Sequence, residues 1–144
     1  MASRKYQKYV IPVEAKSMRQ GELPAVGFKA APYGIEAGWG ILVAHQVPDE
    51  ETRKRLFENP HRHPHHQFIT YFGSNPYNLG EFDAEISICL GEEREEYIIT
   101  GPTVLHFPPG LIHAYGQTPH KIGKPVYHLD LNFTGTYVRE NLPE

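Results

Sequence analysis

The sequence predicts an all-β protein, and three observations carry this prediction. Thirteen glycines, thirteen prolines, nine tyrosines and seven phenylalanines are typical of short strands joined by tight turns. From residue 61 onward, apolar and polar residues alternate with a period of two, as in a strand with one buried face. In residues 83–90 the even-numbered positions are Ala84, Ile86, Ile88 and Leu90. Only one segment has a helical pattern, so we expect a β-sandwich or barrel.

The predicted elements follow in order along the chain. Residues 1–38 form an extended, irregular arm with short extended stretches at 9–13 and 26–30. A longer strand is predicted at 39–47, and the one helix begins at the capping residue Asp49 and ends before Pro60. Further strands are predicted at 67–72, 83–90, 96–100, 103–107 and 125–133. We therefore divide the chain into an arm, 1–38, and one β-domain, 39–144.

The arm is long relative to the small domain that follows it. We expect it to pack on the β-domain or to add a strand to a partner subunit, because exposed sheet edges pair readily with other strands. The expected assembly is a homodimer.

Composition and charge argue against several classes of function. The formal net charge is -3, and the longest basic run is Arg53-Lys54-Arg55, so no nucleic-acid partner is expected. Apolar runs such as 41–44 are far shorter than the roughly 20 residues that cross a bilayer, so no membrane partner is expected. The first residues lack the apolar segment of a signal peptide, and a single cysteine excludes an internal disulfide. These features predict a cytoplasmic protein.

One histidine-rich segment is the most informative part of the sequence: His61-Arg62-His63-Pro64-His65-His66-Gln67. Alternate residues of an extended strand point to the same face, so His61, His63 and Gln67 share one. Two imidazoles at this spacing can hold one transition-metal ion. The ordinary alternative is a solvent-exposed histidine-rich loop.

A second segment favours the metal interpretation. The predicted strand 103–107 is followed by a Pro-Pro-Gly turn and a single histidine, His113. Together the two segments, within residues 61–133, resemble the cupin superfamily. Its first motif, His-x-His, three or four residues and Glu, corresponds to His61-x-His63-xxx-Gln67. Its second motif, Gly, five residues, Pro-x-Gly-xx-His-xxx-Asn, corresponds to Gly101, six residues, Pro108-x-Gly110-xx-His113-xxx-Gln117.

The resemblance implies a fold and a metal site. The fold is the cupin or jelly-roll β-barrel, a double-stranded β-helix. The implied ligands of one divalent metal (Fe, Zn, Ni, Mn or Co) are His61, His63 and His113, with Gln67 in the place of the family's Glu. An amide adds no negative charge, so the metal keeps its full charge and should attract a small anionic ligand. The substitution also removes the most obvious general base.

Three other residues are candidates for catalysis. Tyr71 has the parity of Gln67 and is expected to line the pocket, although core packing is its ordinary role. His128 and Asp130 lie two residues apart on a predicted strand, where they could support a ligand or act as a base. A wet outer sheet face is their ordinary alternative.

The remaining polar residues fall into expected places. His65 is expected nearest the pocket mouth, and His106 outside the pocket. Glu85, Ser87 and Cys89 form a polar row that either faces outward or brings the Glu85 carboxylate into the pocket.

The function expected from this site is that of a metal-dependent enzyme acting on a small anionic molecule. Isomerase or lyase chemistry and Fe-dependent dioxygenase chemistry are both open, because fold alone does not select a reaction. The alternative is a non-catalytic ligand-binding or sensor module with a structural metal.

Overall fold

Two antiparallel sheets form the framework of this computed structural model, which describes residues 5–10, 12, 15–16, 25–30, 34–42 and 60–143. A single 3₁₀ turn at Gln7–Tyr9 is the only helical turn among those residues. The strands are β1 Ala15–Lys16, β2 Ala25–Ala30, β3 Ile35–Leu42, β4 His61–Arg62, β5 Gln67–Gly73, β6 Ala84–Leu90, β7 Glu95–Ile99, β8 Thr103–Phe107, β9 His113–Tyr115, β10 Lys121–Ile122, β11 Val126–Asn132 and β12 Glu140–Asn141. The predicted all-β class is confirmed.

The two sheets have six strands each, but the strands of one sheet are longer, and we call this one the larger sheet. The larger sheet has the order β1-β2-β3-β11-β5-β8. The smaller sheet has the order β10-β6-β9-β4-β12, and β7 also pairs with β6. Neighbours in the larger sheet are often distant in sequence, as in β3, β11 and β5, which is the connectivity of a jelly roll rather than of a simple meander.

The strands predicted by alternation lie where they were expected. β5, β6, β7, β8 and β11 begin and end within one residue of the predictions, and β2 matches the extended stretch predicted at 26–30. Short strands such as β4 and β12 were missed, because two residues carry no periodicity. The predicted helix at Asp49 lies outside the described residues.

The N-terminal segment joins the larger sheet of its own chain. β2 pairs with β3 over residues Ala30 to Val26, and β3 begins at Ile35 rather than at Trp39. The expected division between residues 38 and 39 therefore falls within a strand. Contact of this segment with a second subunit stays a prediction.

The core lies between the two sheets. Its fully packed cluster combines residues of the larger sheet, Tyr71 and Val126, with residues of the smaller sheet, Ile86, Ile88 and Ile99. The inward direction of Ile86 and Ile88 agrees with the predicted parity of β6. Within the described ranges, no helix has the length and apolar character needed to cross a bilayer.

Candidate metal centre

Three histidines converge between the two sheets. His61 and His113 are direct partners across β4 and β9, and His63 follows two residues after His61. All three are buried, with 3%, 5% and 3% exposure for His61, His113 and His63 respectively. One ring nitrogen from each lies within 4.8 Å of the other two. We call these residues the triad.

Backbone carbonyls orient two imidazoles of the triad. Nδ1 of His63 donates to the carbonyl oxygen of Val138 at 2.7 Å, and Nδ1 of His113 donates to that of Leu111 at 3.0 Å. A carbonyl oxygen only accepts, so each neutral ring carries its proton on Nδ1 and its lone pair on Nε2. Nε2 of His63 is buried and has no hydrogen-bond partner. Proteins commonly hold metal-ligating histidines in this way.

The pKa of His63 favours the neutral, ligating form. Burial lowers this pKa below its ordinary value, because the charged imidazolium loses hydration. The hydrogen bond to Val138 opposes the shift, and the nearby His61, His65 and Arg139 lower the pKa further. Because metals bind the deprotonated ring, the environment prepares His63 for a cation.

A tight turn joins the second motif to the first. Gly110 has a φ of +85°, a left-handed conformation that favours glycine, and its N–H donates to the carbonyl oxygen of His63 at 2.8 Å. On the strand before this turn, the Phe107 ring stacks on His113 at 4.0 Å between ring centres, with an interplanar angle of 4°. The turn thus places His113 beside His61 and His63.

Gln67 offers an oxygen to the same interior. It begins β5, is 3% exposed, and is the cross-strand partner of Phe107. Its Nε2 donates to Oδ1 of Asp130 at 3.0 Å. Because an ionised carboxylate only accepts, this contact directs the amide oxygen away from Asp130. That oxygen, Oε1, is buried and has no hydrogen-bond partner.

These donor atoms fit a divalent transition metal. Imidazole nitrogen is a good ligand for Zn, Fe, Ni and Co, and amide oxygen is a weaker, uncharged ligand. The three histidines predicted from the motifs lie together. Gln67 lies in the neighbouring sheet with its oxygen available.

Asp130 is half-buried and belongs to a polar chain that the sequence did not reveal. Its Oδ1 accepts a second hydrogen bond at 3.0 Å, from Nδ2 of Asn132. Oδ1 of Asn132 in turn lies 3.2 Å from Nε2 of His65. Asn132 is 4% exposed and Val126 of the same parity is in the core, so the alternative of a wet outer face is wrong for this row.

Tyr71 and His128 lie deeper along the sheet. They are cross-strand partners, four residues beyond the paired Gln67 and Asn132, which places them about 13 Å farther along the strands. Tyr71 is in the packed core, and the rings of the two residues are 6.3 Å apart. Burial lowers the pKa of His128. The structure does not bring this pair beside the triad, and their catalytic role stays a prediction.

The residues expected outside the pocket lie outside it. Glu85 forms an exposed ion pair with Lys121 at 2.9 Å, so the outward alternative holds for this residue of the row. His106 is exposed, and its Nε2 lies 2.9 Å from Nδ1 of His66. Ser87 of the same row as Glu85 is buried and donates to Glu96.

No protein-family description and no curated protein sequence matches the chain. Solved structures do match it. A cupin-like protein from Thermotoga maritima is 13% identical with a TM-score of 0.50, and the alignment covers 84% of this chain and 77% of that one. The polyketide cyclase RemF from Streptomyces resistomycificus is 14% identical with a TM-score of 0.53, covering 100% and 87%. A variant of Bacillus subtilis oxalate decarboxylase is 12% identical with a TM-score of 0.51, covering 90% and 30%.

These likenesses establish the fold. The chain has the cupin fold predicted from its two motifs, and within that fold it carries a buried cluster of three histidines that could hold a metal ion. It spans less than a third of the length of the oxalate decarboxylase.

Proposed function

We propose that this protein is a metal-dependent enzyme acting on a small anionic molecule. His61, His63 and His113 hold one divalent transition metal, and Oε1 of Gln67 completes the ligand set. The observation that carries the proposal is the convergence of three buried imidazole nitrogens within 4.8 Å of one another. Nε2 of His63 is buried without a hydrogen-bond partner, which is unfavourable for a polar atom, and a cation at the triad removes this penalty.

Charge at the site supports an anionic ligand. Three neutral imidazoles and one amide leave the charge of a bound dication uncompensated. Arg139 is close enough to lower the pKa of His63 and adds positive potential on that side. When bound, the metal supplies a Lewis acid for a negatively charged oxygen. The name of one structural neighbour, oxalate decarboxylase, describes an enzyme that acts on a small anion and so supports this substrate class.

The residues of the metal site are compatible with two classes of reaction. Zn, Ni, Mn or Co at the triad suits isomerase or lyase chemistry, and Fe suits dioxygenase chemistry. Asp130 already accepts hydrogen bonds from two amides, so we assign it the role of orienting Gln67 rather than that of a general base.

A second candidate is a non-catalytic ligand-binding or sensor module with a structural metal. Gln67 favours it, because the expected carboxylate ligand is replaced by an amide whose partner carboxylate is already engaged. This module would bind anions without converting them.

Turnover separates the two candidates. Untagged protein is loaded with Fe²⁺ or Zn²⁺ and incubated with a panel of small carboxylates, and substrate loss is followed by NMR and oxygen uptake. Conversion by wild type that is absent in His113→Ala supports the enzyme. Anion binding without conversion under either metal supports the sensor module.

We further propose that the protein is a cytoplasmic homodimer with no nucleic-acid or membrane partner. Sedimentation velocity tests the assembly, and a single species at the 16.4 kDa monomer mass contradicts it.

A further inference from the structure

A hydrogen-bond chain runs from the larger sheet to a histidine that stacks on the triad. It consists of His65, Asn132, Asp130 and Gln67, which we call the Asp130 network. Two bonds of 3.0 Å reach Oδ1 of Asp130, one from Nε2 of Gln67 and one from Nδ2 of Asn132. A third contact, of 3.2 Å, joins Oδ1 of Asn132 to Nε2 of His65.

The carboxylate sets the direction of every bond in this network. Because an ionised carboxylate only accepts, both amides must turn their NH₂ groups toward Asp130. The oxygen of Asn132 then faces His65, so Nε2 of His65 must carry the proton and donate. In a neutral imidazole the other nitrogen, Nδ1, is therefore a bare acceptor. The network thus ends in two acceptor atoms, Oε1 of Gln67 and Nδ1 of His65.

Nδ1 of His65 lacks a partner in a place where one is needed. The residue is 8% exposed, and the atom is buried with no hydrogen-bond partner. Leaving such an acceptor unsatisfied is unfavourable. His65 is not one of the three residues whose ligand nitrogens converge, so the proposed metal does not satisfy it.

His65 is nevertheless next to the proposed metal site. Its ring stacks on that of His63, with ring centres 4.9 Å apart and an interplanar angle of 26°. Tyr137 contacts both rings, at 5.0 Å from His63 and 5.8 Å from His65, and is 39% exposed. His65 therefore lies against one ring of the triad, beside a partly exposed side chain.

We propose that His65 determines specificity and that the site takes small hydroxycarboxylates. The inference rests on the proposed function, in which the metal holds the anionic carboxylate. The hydroxyl group then donates to Nδ1 of His65, which an oxygen without hydrogen cannot do. A fully deprotonated dicarboxylate is disfavoured, because its second carboxylate would meet an acceptor.

The test compares two anions that differ in one hydrogen-bond donor. Glycolate and methoxyacetate each carry a carboxylate and a neighbouring oxygen, but only glycolate has a hydroxyl hydrogen. Their affinities for Zn²⁺-loaded protein are measured by calorimetry at pH 8. We expect glycolate to bind about tenfold more tightly, the effect of one buried hydrogen bond.

Two variants show whether His65 causes the preference. His65→Phe keeps an aromatic ring against His63 but removes the acceptor, and should bind both anions equally. His66→Phe changes the exposed neighbour and should keep the tenfold preference. Zinc content and circular dichroism are recorded for each variant.

The outcomes are distinct. Equal affinities in wild type, a preference that persists in His65→Phe, or no binding of either anion to zinc-loaded wild type each overturns the role of His65 while leaving the metal site standing. Failure of wild type to take up zinc overturns the proposed function itself.

Discussion

Gln67→Glu is a sharp test of the contact between the ligand set and Asp130. The substitution restores the carboxylate of the cupin motif, and a carboxylate ligand would ordinarily tighten the binding of a dication. In this structure, however, it replaces an amide nitrogen that lies 3.0 Å from Oδ1 of Asp130. Two carboxylates at that distance repel by about 5 kcal/mol at an effective dielectric constant of about 20. A repulsion of this size favours a proton shared between the two carboxyls, which cancels most of the added charge.

The single and double substitutions are therefore expected to differ. Gln67→Glu alone adds little net charge at the site and should bind Zn²⁺ within about threefold of wild type. Combining Gln67→Glu with Asp130→Asn exchanges the donor and the acceptor and keeps the hydrogen bond. It leaves an ionised carboxylate facing the triad, so it should bind Zn²⁺ at least about tenfold more tightly. Asp130→Asn alone is the control.

Competition with a chromophoric chelator at pH 7.5 measures these affinities. Tightening by Gln67→Glu alone to the level of the double variant would refute the contact with Asp130. A double variant that binds no more tightly than wild type would place Gln67 outside the ligand set.

Three further predictions concern stability. Zn²⁺ at about one hundred times its dissociation constant should stabilise wild type by about 2.7 kcal/mol and raise Tm by about 8 °C in differential scanning fluorimetry. His113→Ala should show no such rise. An equal rise in both proteins would place the ion elsewhere. Burial lowers the pKa of His128, so below the ordinary value of 6.5 the unfolded chain binds a proton that the folded protein does not. Stability should therefore fall as pH decreases below 6.5, less steeply in His128→Gln, and equal slopes in urea titrations would contradict this. A Cβ at Gly73 would overlap the backbone carbonyl of Glu81, so Gly73→Ala should lose about 2 kcal/mol or more of unfolding free energy. The control is Gly101→Ala, whose added Cβ has nothing within 4 Å and which should change this free energy by less than about 0.5 kcal/mol. Similar losses in both variants would contradict the packing around Gly73.

Alternation predicted the long strands because each has one face in the core. β6 is the clearest case, since Ile86 and Ile88 point inward as their parity requires. The same rule could not find β4 or β12, because strands of two residues have no period. It also began β3 four residues late, since Ile35–Gly38 contains small and charged residues with no apolar alternation.

The candidate site was predictable where it depends on side chains in the motifs. The spacing of His61 and His63 indicated a metal site, and the resemblance to the two cupin motifs added His113 to it. The partners that orient it were not predictable, because they depend on the pairing of distant strands and on backbone atoms. Asp130 contacts Gln67 through the register of β11 against β5, and Val138 supplies only a carbonyl oxygen.

The same register explains the placement of Tyr71. Its parity correctly predicted that it faces inward, but parity does not say how far along a strand a residue lies from the site. The pairing of Tyr71 with His128, rather than with Asn132, puts it in the packed core.

X-ray absorption spectroscopy of untagged protein, combined with metal analysis, tests the central claim most directly. We predict about one equivalent of a divalent transition metal, with three imidazole nitrogens at about 2.0–2.1 Å if the metal is zinc, and loss of that metal in His113→Ala. Protein that takes up no divalent metal after reconstitution, or a bound metal without histidine scattering in its spectrum, would contradict the assignment of the triad.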